Sequence, residues 1–315
     1  MGVNGMNWQH RLVVIATLVG SASGWGANLD FLPSRAQLMQ PAPNKAWDQF
    51  SSAPDAHGVY PIAEDVYLFM YRGTNSLFVV TDEGVIATDP IRAHVAPVYI
   101  EAIRSVTNLP IKYLIYSHWH WDHVEGGQVF RDAGAKILSH AACIPHFTDQ
   151  PNPNVAMPDQ TFSGSHTVSL GNRSLELIYL GTNHSDCLVF MRPDGVNALF
   201  VVDLITPGSV GGSVFMDYVP HHWLRTLKAI EAMNLDYIIS GHGVPLAHAS
   251  AITERRQYLE ALMGAVGTAY QQGLSSAERT ALVETKLKPF TYMRNFDANL
   301  AGQITRLQIY YATGW

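Results

Sequence analysis

Cysteine is nearly absent from this sequence: Cys143 and Cys187 are the only two in 315 residues. That excludes a disulfide framework and any Cys-based zinc ribbon. Each cysteine reads as a buried thiol behaving as a small hydrophobe, in preference to the one bridge that the pair allows. Charge is also sparse, at 15% of residues, and no stripe of lysine and arginine runs through the chain. With a formal net charge of -6, this argues against a nucleic-acid partner. The longest apolar run, Leu12–Gly20, is too short for a comfortable membrane span. His10 and Arg11 precede it, and Ser21-Ala22-Ser23-Gly24 and Gly26-Ala27 follow it. A basic start, a short apolar core and small residues read as a secretory signal over 1–27, with a lone anchor or a buried first helix as the other readings. A cleaved signal leaves no stable membrane span and implies a periplasmic or secreted protein.

What the chain has is histidine, fourteen of them, which favours imidazole and carboxylate chemistry over thiolate chemistry. A hydrophobic content of 47% over this length is enough for a substantial core. Residues 28–57, rich in Pro, Ala, Ser and Asn, read as an irregular lead-in. Apolar runs at 66–71, 75–80 and 84–89, separated by Arg72-Gly73 and Asp82-Glu83-Gly84, predict an antiparallel meander. A helix over 94–107 leads to a buried strand, Tyr113–Tyr116. Further helices are expected from Gly127 and over 140–147, with strand 136–138 between them. A second set of strands fills 166–202. A helix over 220–233 and strand Tyr237–Ser240 follow, then a helical tail from about 249. Two sheets covered by helices satisfy this order.

The strand at 113–116 runs straight into His118-Trp119-His120-Trp121-Asp122-His123. On an extended segment alternate residues point the same way. His118 and His120 can then aim at one metal while Asp122 and His123 turn to another. Imidazole with carboxylate suits zinc, and less specifically iron or manganese. One cluster cannot complete two coordination shells. Three more ligand types stand beside strand ends: His184 between two strands, Asp203 after Leu199–Val202, and His242 in Ser240-Gly241-His242-Gly243.

These residues carry a resemblance to the metallo-β-lactamase-fold superfamily, extending over roughly 58–250. The pattern His-x-His-x-Asp-His is complete at 118–123, and His184, Asp203 and His242 match the later ligands in order. The resemblance implies an α/β protein with an αββα four-layer sandwich over 58–250, followed by a C-terminal helical extension over 251–315. It implies His118, His120 and His184 on a first Zn2+, Asp122, His123 and His242 on a second, and Asp203 bridging them. Asp89 would support the metal loop. The implied chemistry is hydrolysis of a small-molecule carbonyl (β-lactam, lactone, ester or thioester) by a metal-bridging hydroxide. Asp122 would orient that hydroxide and carry its proton to the leaving group.

The substrate is less legible. Many zinc β-lactamases carry a cysteine where Asp203 stands and a lysine shortly after it, but Thr206 and Pro207 occupy that stretch. The aspartate looks more like the glyoxalase II and lactonase branches. The tyrosine that lactonases often carry a few residues later is Thr206 here. The basic residues of the tail (Lys286, Lys288, Arg294, Arg306) match no glutathione motif. Trp119, Trp121 and Tyr218 are candidate pocket residues, Gly208–Gly212 a candidate mobile loop over the site, and His221 and His222 candidate helix caps. The rival readings are an iron-dependent redox enzyme of the same fold, such as a persulfide dioxygenase, and a non-catalytic metal-binding protein. The full set of seven ligands favours the two-metal hydrolase.

Overall fold

The computed structural model describes residues 34–40 and 44–314. The 1–27 segment read as a signal lies outside them. A seven-stranded sheet is ordered β1(His57–Ala63), β2(Val66–Tyr71), β3(Thr74–Val80), β4(Val85–Thr88), β5(Ile111–Ile115), β6(Lys136–His140), β7(Gln160–Phe162). β1 to β4 form the expected antiparallel meander, lengthened by β1, and β4 to β7 run parallel. A six-stranded sheet contains β8(His166–Leu170), β9(Arg173–Tyr179), β10(Val189–Pro193), β11(Ala198–Val201), β12(Tyr237–Ser240) and β13(Leu246–His248), in the spatial order β13-β12-β11-β10-β9-β8. Only β11 and β12 are parallel there. The helices are α1(Arg35–Leu38), α2(Lys45–Ser52), α3(Ala96–Val106), α4(Trp121–Val124), α5(Gly127–Asp132), α6(Ile144–Asp149), α7(Pro220–Glu231), α8(Ser250–Gln271), α9(Ser276–Leu287) and α10(Phe296–Thr313).

The two-residue period of the strands builds the layers. Leu68, Met70, Leu77, Val79, Ile86 and Ile115 face the second sheet and pack with Leu175, Leu177, Phe190 and Phe200. Their alternates, Phe69, Phe78, Val85, Ala87 and Leu114, face outward onto Tyr99, Ile100 and Ile103 of α3 and Phe130 of α5. Strands buried on both faces need near-continuous apolar sequence, as β2 and the Leu77–Val80 half of β3 have. The far side of the second sheet is covered by α7 and α8, through Trp223, Leu227, Ile230, Ile252 and Leu259. The result is an αββα sandwich with C-terminal helices, as expected.

Three local readings are corrected. The 28–57 lead-in is helical over Lys45–Ser52: Asn44 caps that helix through Trp47 N, and Trp47 and Phe50 are buried in the core. Burying those two rings stabilises the fold by roughly 1.5–3 kcal/mol each, which outweighs the helix-poor composition around them. Cys143 and Cys187 are not thiols; they form a disulfide across 44 residues of sequence. Gly208–Gly212 is tied to the C-terminal helices. Arg255 of α8, itself buried, donates to the carbonyls of Ser209 and Val210. Gln303 of α10 donates to Val210 and Gly212, and Val210 N donates to Arg294 O. A stretch whose backbone is held by three separate residues is not a loose lid.

Candidate metal centre

Topology gathers the ligand types on one edge. β4 and β5 are parallel, so Asp89 and the 118–123 loop leave their carboxyl ends side by side. β11 and β12 are parallel in the other sheet, so Asp203 and His242 leave theirs together. β10 runs antiparallel to β11, which brings its amino end, and the His184 loop before it, to the same edge. Seven residues scattered over 118–242 thereby converge in two groups, each able to hold a metal ion. His118, His120, His184 and Asp203 form one; Asp122, His123, Asp203 and His242 form the other. In each, one ligand atom from every residue lies within 4.8 Å of the rest.

Within the first group His120 Nδ1 lies 3.0 Å from His184 Nε2, and Asp203 Oδ2 lies 3.3 Å from His118 Nε2 and 3.2 Å from His184 Nε2. Within the second, His123 Nε2 and His242 Nε2 are 3.0 Å apart. Asp122 Oδ2 is 3.2 Å from His242 Nε2 and 3.5 Å from His123 Nε2. Asp203 presents Oδ1 to His242 at 3.0 Å and Oδ2 to His123 at 3.2 Å.

This donor set fits a cation. Zinc–nitrogen bonds of about 2.0–2.1 Å at tetrahedral angles put neighbouring ligand atoms roughly 3.3 Å apart, the spacing seen here. Imidazole nitrogens facing one another at 3.0 Å have at most one proton to share. His118 Nε2 and Asp203 Oδ1 are buried and, although each has a polar neighbour within 3.3 Å, neither makes a well-directed hydrogen bond. Orphaned buried polar atoms are costly, and a metal ion satisfies both.

The supporting contacts fix each ring. Ser117 Oγ lies 2.9 Å from His118 Nδ1, which leaves Nε2 for the site. Asp89, wholly buried, accepts from Ser117 N at 2.7 Å through Oδ1 and sets Oδ2 3.3 Å from His123 Nδ1. It supports the metal loop as expected, in the manner of outer ligands that hold a metal-binding ring. Asp203 sits at φ 54°, in the left-handed region. Such strain collects at functional positions, and aspartate tolerates it better than most residues. His242 is held by Asn75, which donates from N to Gly241 O and from Nδ2 to Gly243 O. Gly243 has φ 71°, and a Cβ there would lie 2.6 Å from Thr206. Glycine is required beside that ligand.

Burial and charge split the titration of the cluster. Burial pushes His118 well below the usual imidazole range, and His120 down to about 4 with help from His184. For His123 and His242 burial works the same way but is outweighed by carboxylates. Asp203 above all holds His123 well above its usual value and His242 up at about 9. Asp203 and Asp122 are held below the carboxylate range: burial opposes this, but the histidines around them prevail.

Of the three candidate pocket residues, Trp121 is 44% exposed, at the start of α4 and next in the chain to His120. Trp119 is half-buried, its ring stacked on His146 and its edge against His120. Tyr218 lies 4.7 Å from the His184 ring, but its hydroxyl donates to the Asp203 carbonyl, so it braces a ligand instead of facing an oxyanion. His221 and His222 do not cap α7: Val219 is its N-cap residue, with no side-chain cap bond, and His221 contacts Tyr310 Oη at 2.8 Å. The sequence reading missed the pair His146 and Asp186, and also Arg255. Neither lies in a motif; only the fold brings His146 to the metal loop.

Two curated proteins are similar to the chain. The 2,4-dinitroanisole O-demethylase subunit alpha of Nocardioides sp. (strain JS1661) is 24% identical over 226 residues, 70% of this chain and 66% of that protein. The Beta-lactamase-like protein 2 homolog of Caenorhabditis elegans is 28% identical over 179 residues, 56% of this chain and 57% of that protein. The match thus spans under two thirds of either relative. Among solved structures, a metallo-beta-lactamase from Pontibacter korlensis superposes with a TM-score of 0.55 at 20% identity, covering 65% of this chain and 99% of its own. Metallo-beta-lactamase IND-7 gives 0.54 at 18%, covering 60% and 91%. At these identities the structures speak for the fold alone. The sequence model of the metallo-beta-lactamase superfamily matches residues 71–242, more than half of the chain and ending on His242, and the chain belongs to that superfamily.

Proposed function

We propose that this protein is a two-zinc hydrolase that adds water to a carbonyl or similarly activated centre of a small molecule. The observation that carries the reading is the pair of four-residue groups sharing Asp203, since a shared carboxylate holds two metals close together. Bound zinc lowers the pKa of coordinated water toward neutrality and polarises a carbonyl oxygen.

The chain's own residues supply the rest. His118, His120 and His184 would hold one ion, Asp122, His123 and His242 the other, and Asp203 both. Asp122 remains ionised and has 32% of its side chain exposed at the mouth of the site. In this reading Asp122 would accept a proton from the attacking water and return it to the leaving group. Trp121 offers an apolar face to the substrate.

The seven-residue set favours this over a single-iron redox enzyme, which needs only two histidines and an aspartate. Retention of every ligand favours it over a non-catalytic binder. Work outside the cytoplasm is part of the proposal. It is supported by the signal-like 1–27 segment and by the Cys143–Cys187 disulfide, since such bonds persist in oxidising compartments. No helix among the described residues is long and apolar enough to cross a membrane.

The test is metal analysis of the purified protein followed by an activity screen of the zinc-loaded form. The panel holds β-lactams, lactones, thioesters and aryl esters, with 2,4-dinitroanisole added because it stands in the name of a relative. Two zinc ions per chain with turnover of one of these classes supports the proposal. One iron per chain overturns it, and a zinc-loaded protein inert on the whole panel favours a binding role.

A further inference from the structure

The disulfide and a histidine–aspartate pair join the same two segments. The first is the 3₁₀ turn Ala141–Cys143 with α6, which follows β6. The second is the loop between β9 and β10, residues 180–188, which carries His184. Cys143 and Cys187, both fully buried, make the covalent link three residues beyond His184. One turn along α6, His146 Nε2 lies 2.9 Å and 3.0 Å from the two carboxylate oxygens of Asp186. Tyr179 Oη donates to Asp186 O at 2.7 Å, so this aspartate is held at its backbone as well as its side chain.

His146 also reaches the metal loop. Its ring stacks on Trp119, with centroids 4.5 Å apart and planes 10° apart. Trp119 in turn sets its ring against the His120 ring at 4.4 Å and 84°. One side chain on α6 therefore touches the loop of His184 directly, at Asp186, and the ring of His120 through Trp119. Those two histidines face each other in the same metal group. The other group is fixed differently: His123 by Asp89, and His242 by Asn75.

We propose that Cys143–Cys187 and His146–Asp186 form a two-point brace that positions His184 and His120. It would thereby set the affinity of the His118/His120/His184/Asp203 metal position while leaving the Asp122/His123/His242 position nearly untouched. The proposal rests on the two-metal reading above. His184 sits on a loop outside the sheet ladder, so its place depends on cross-links of this kind. His146, Asp186 and Trp119 are positioning residues and ligate nothing themselves. Removing the outer partners of a ligand lowers metal affinity by roughly 10–100-fold.

The experiment titrates metal-free full-length protein with zinc against a competing chelating dye, and with cobalt while recording the visible ligand-field bands. The variants are Cys143→Ala/Cys187→Ala, His146→Phe, which keeps a ring on Trp119 but cannot bond Asp186, and His146→Ala, which loses both contacts. Wild-type protein is expected to bind two ions. In the double cysteine variant and in His146→Ala one affinity falls roughly 10–100-fold, the other stays within about threefold, and the cobalt bands of one position change. His146→Phe falls between His146→Ala and wild type. If the cysteine variant does not fold, the two His146 variants decide. Equal affinities in wild type and variants, or an equal loss at both positions, overturn the brace. Wild-type protein that binds fewer than two ions overturns the two-metal reading instead, so the two failures are distinguishable.

Discussion

Removing the Cys143–Cys187 bond by a double alanine substitution should strip a large share of the fold's stability. The bond closes a loop across 44 residues of sequence. In the chain-entropy account, with about 45 residues in the loop, the denatured state of the cross-linked protein loses about 13 cal/mol/K, equivalent to about 4 kcal/mol at 25 °C. Both sulfurs are fully buried, so the variant adds the loss of packed atoms to this. The assay is urea unfolding of metal-free protein followed by circular dichroism, in oxidised wild type, wild type with a dithiol reductant, and the variant. With a urea slope of about 3 kcal/mol per molar, the midpoint should fall by roughly 1.3 M in reduced wild type and by at least as much in the variant. A common midpoint for all three would refute the reasoning, because a real cross-link constrains only the oxidised protein. A fall in the variant alone would trace the effect to lost packing.

Three further outcomes are expected. His120→Ala should abolish turnover and remove one of two zinc ions, read by metal analysis; unchanged activity refutes the ligand assignment. Arg255→Ala leaves the Ser209 carbonyl without its donor, at roughly 1–3 kcal/mol for the unsatisfied group, and leaves the Val210 carbonyl with Gln303 alone, so the melting temperature should fall well below that of an exposed control such as Arg104→Ala. The third concerns pH. In metal-free protein His242 is raised to about 9 and His123 well above its usual value, chiefly by Asp203 working against burial. The stabilising effect of a charged His242 is full below the unfolded imidazole pKa of about 6.5 and is lost as pH rises through about 9, so the melting temperature of metal-free protein should drop over that window. At neutral pH zinc must then displace the proton held between His242 and its neighbours, seen as a buffer-dependent heat in titration calorimetry. Heat that is the same in buffers of different ionisation enthalpy contradicts the assignment.

The C-terminal helices are part of the architecture around the metal edge. Arg255 and Gln303 hold the chain just after Asp203, and Tyr218, beyond that stretch, returns its hydroxyl to the Asp203 carbonyl. A buried guanidinium is expensive to desolvate. Here it lies among backbone carbonyls and the rings of Trp223 and Tyr258. Polar contacts of this kind fix one conformation of a segment that composition alone suggests is free.

The sequence determined the layers and the candidate ligands. Strand period and apolar content are local properties, so β2, β3, β5, β11 and β12 were legible to within a few residues. The six residues 118–123 announce metal chemistry because ligand types so close together at a strand end have few other uses. The match of His184, Asp203 and His242 to a known pattern supplied the rest. Only the tertiary structure decided what depends on contact at long range. Trp47 and Phe50 make a helix where composition suggests none, because burial against the sheets outweighs local propensity. Cys143 and Cys187 pair because the turn after β6 and the loop before β10 meet at one edge, which no spacing in the chain reveals. The same meeting sets His146 between Asp186 and Trp119. Which residues can ligate is written in their chemistry; how firmly each ligand is held is a property of neighbours that the chain brings from far away.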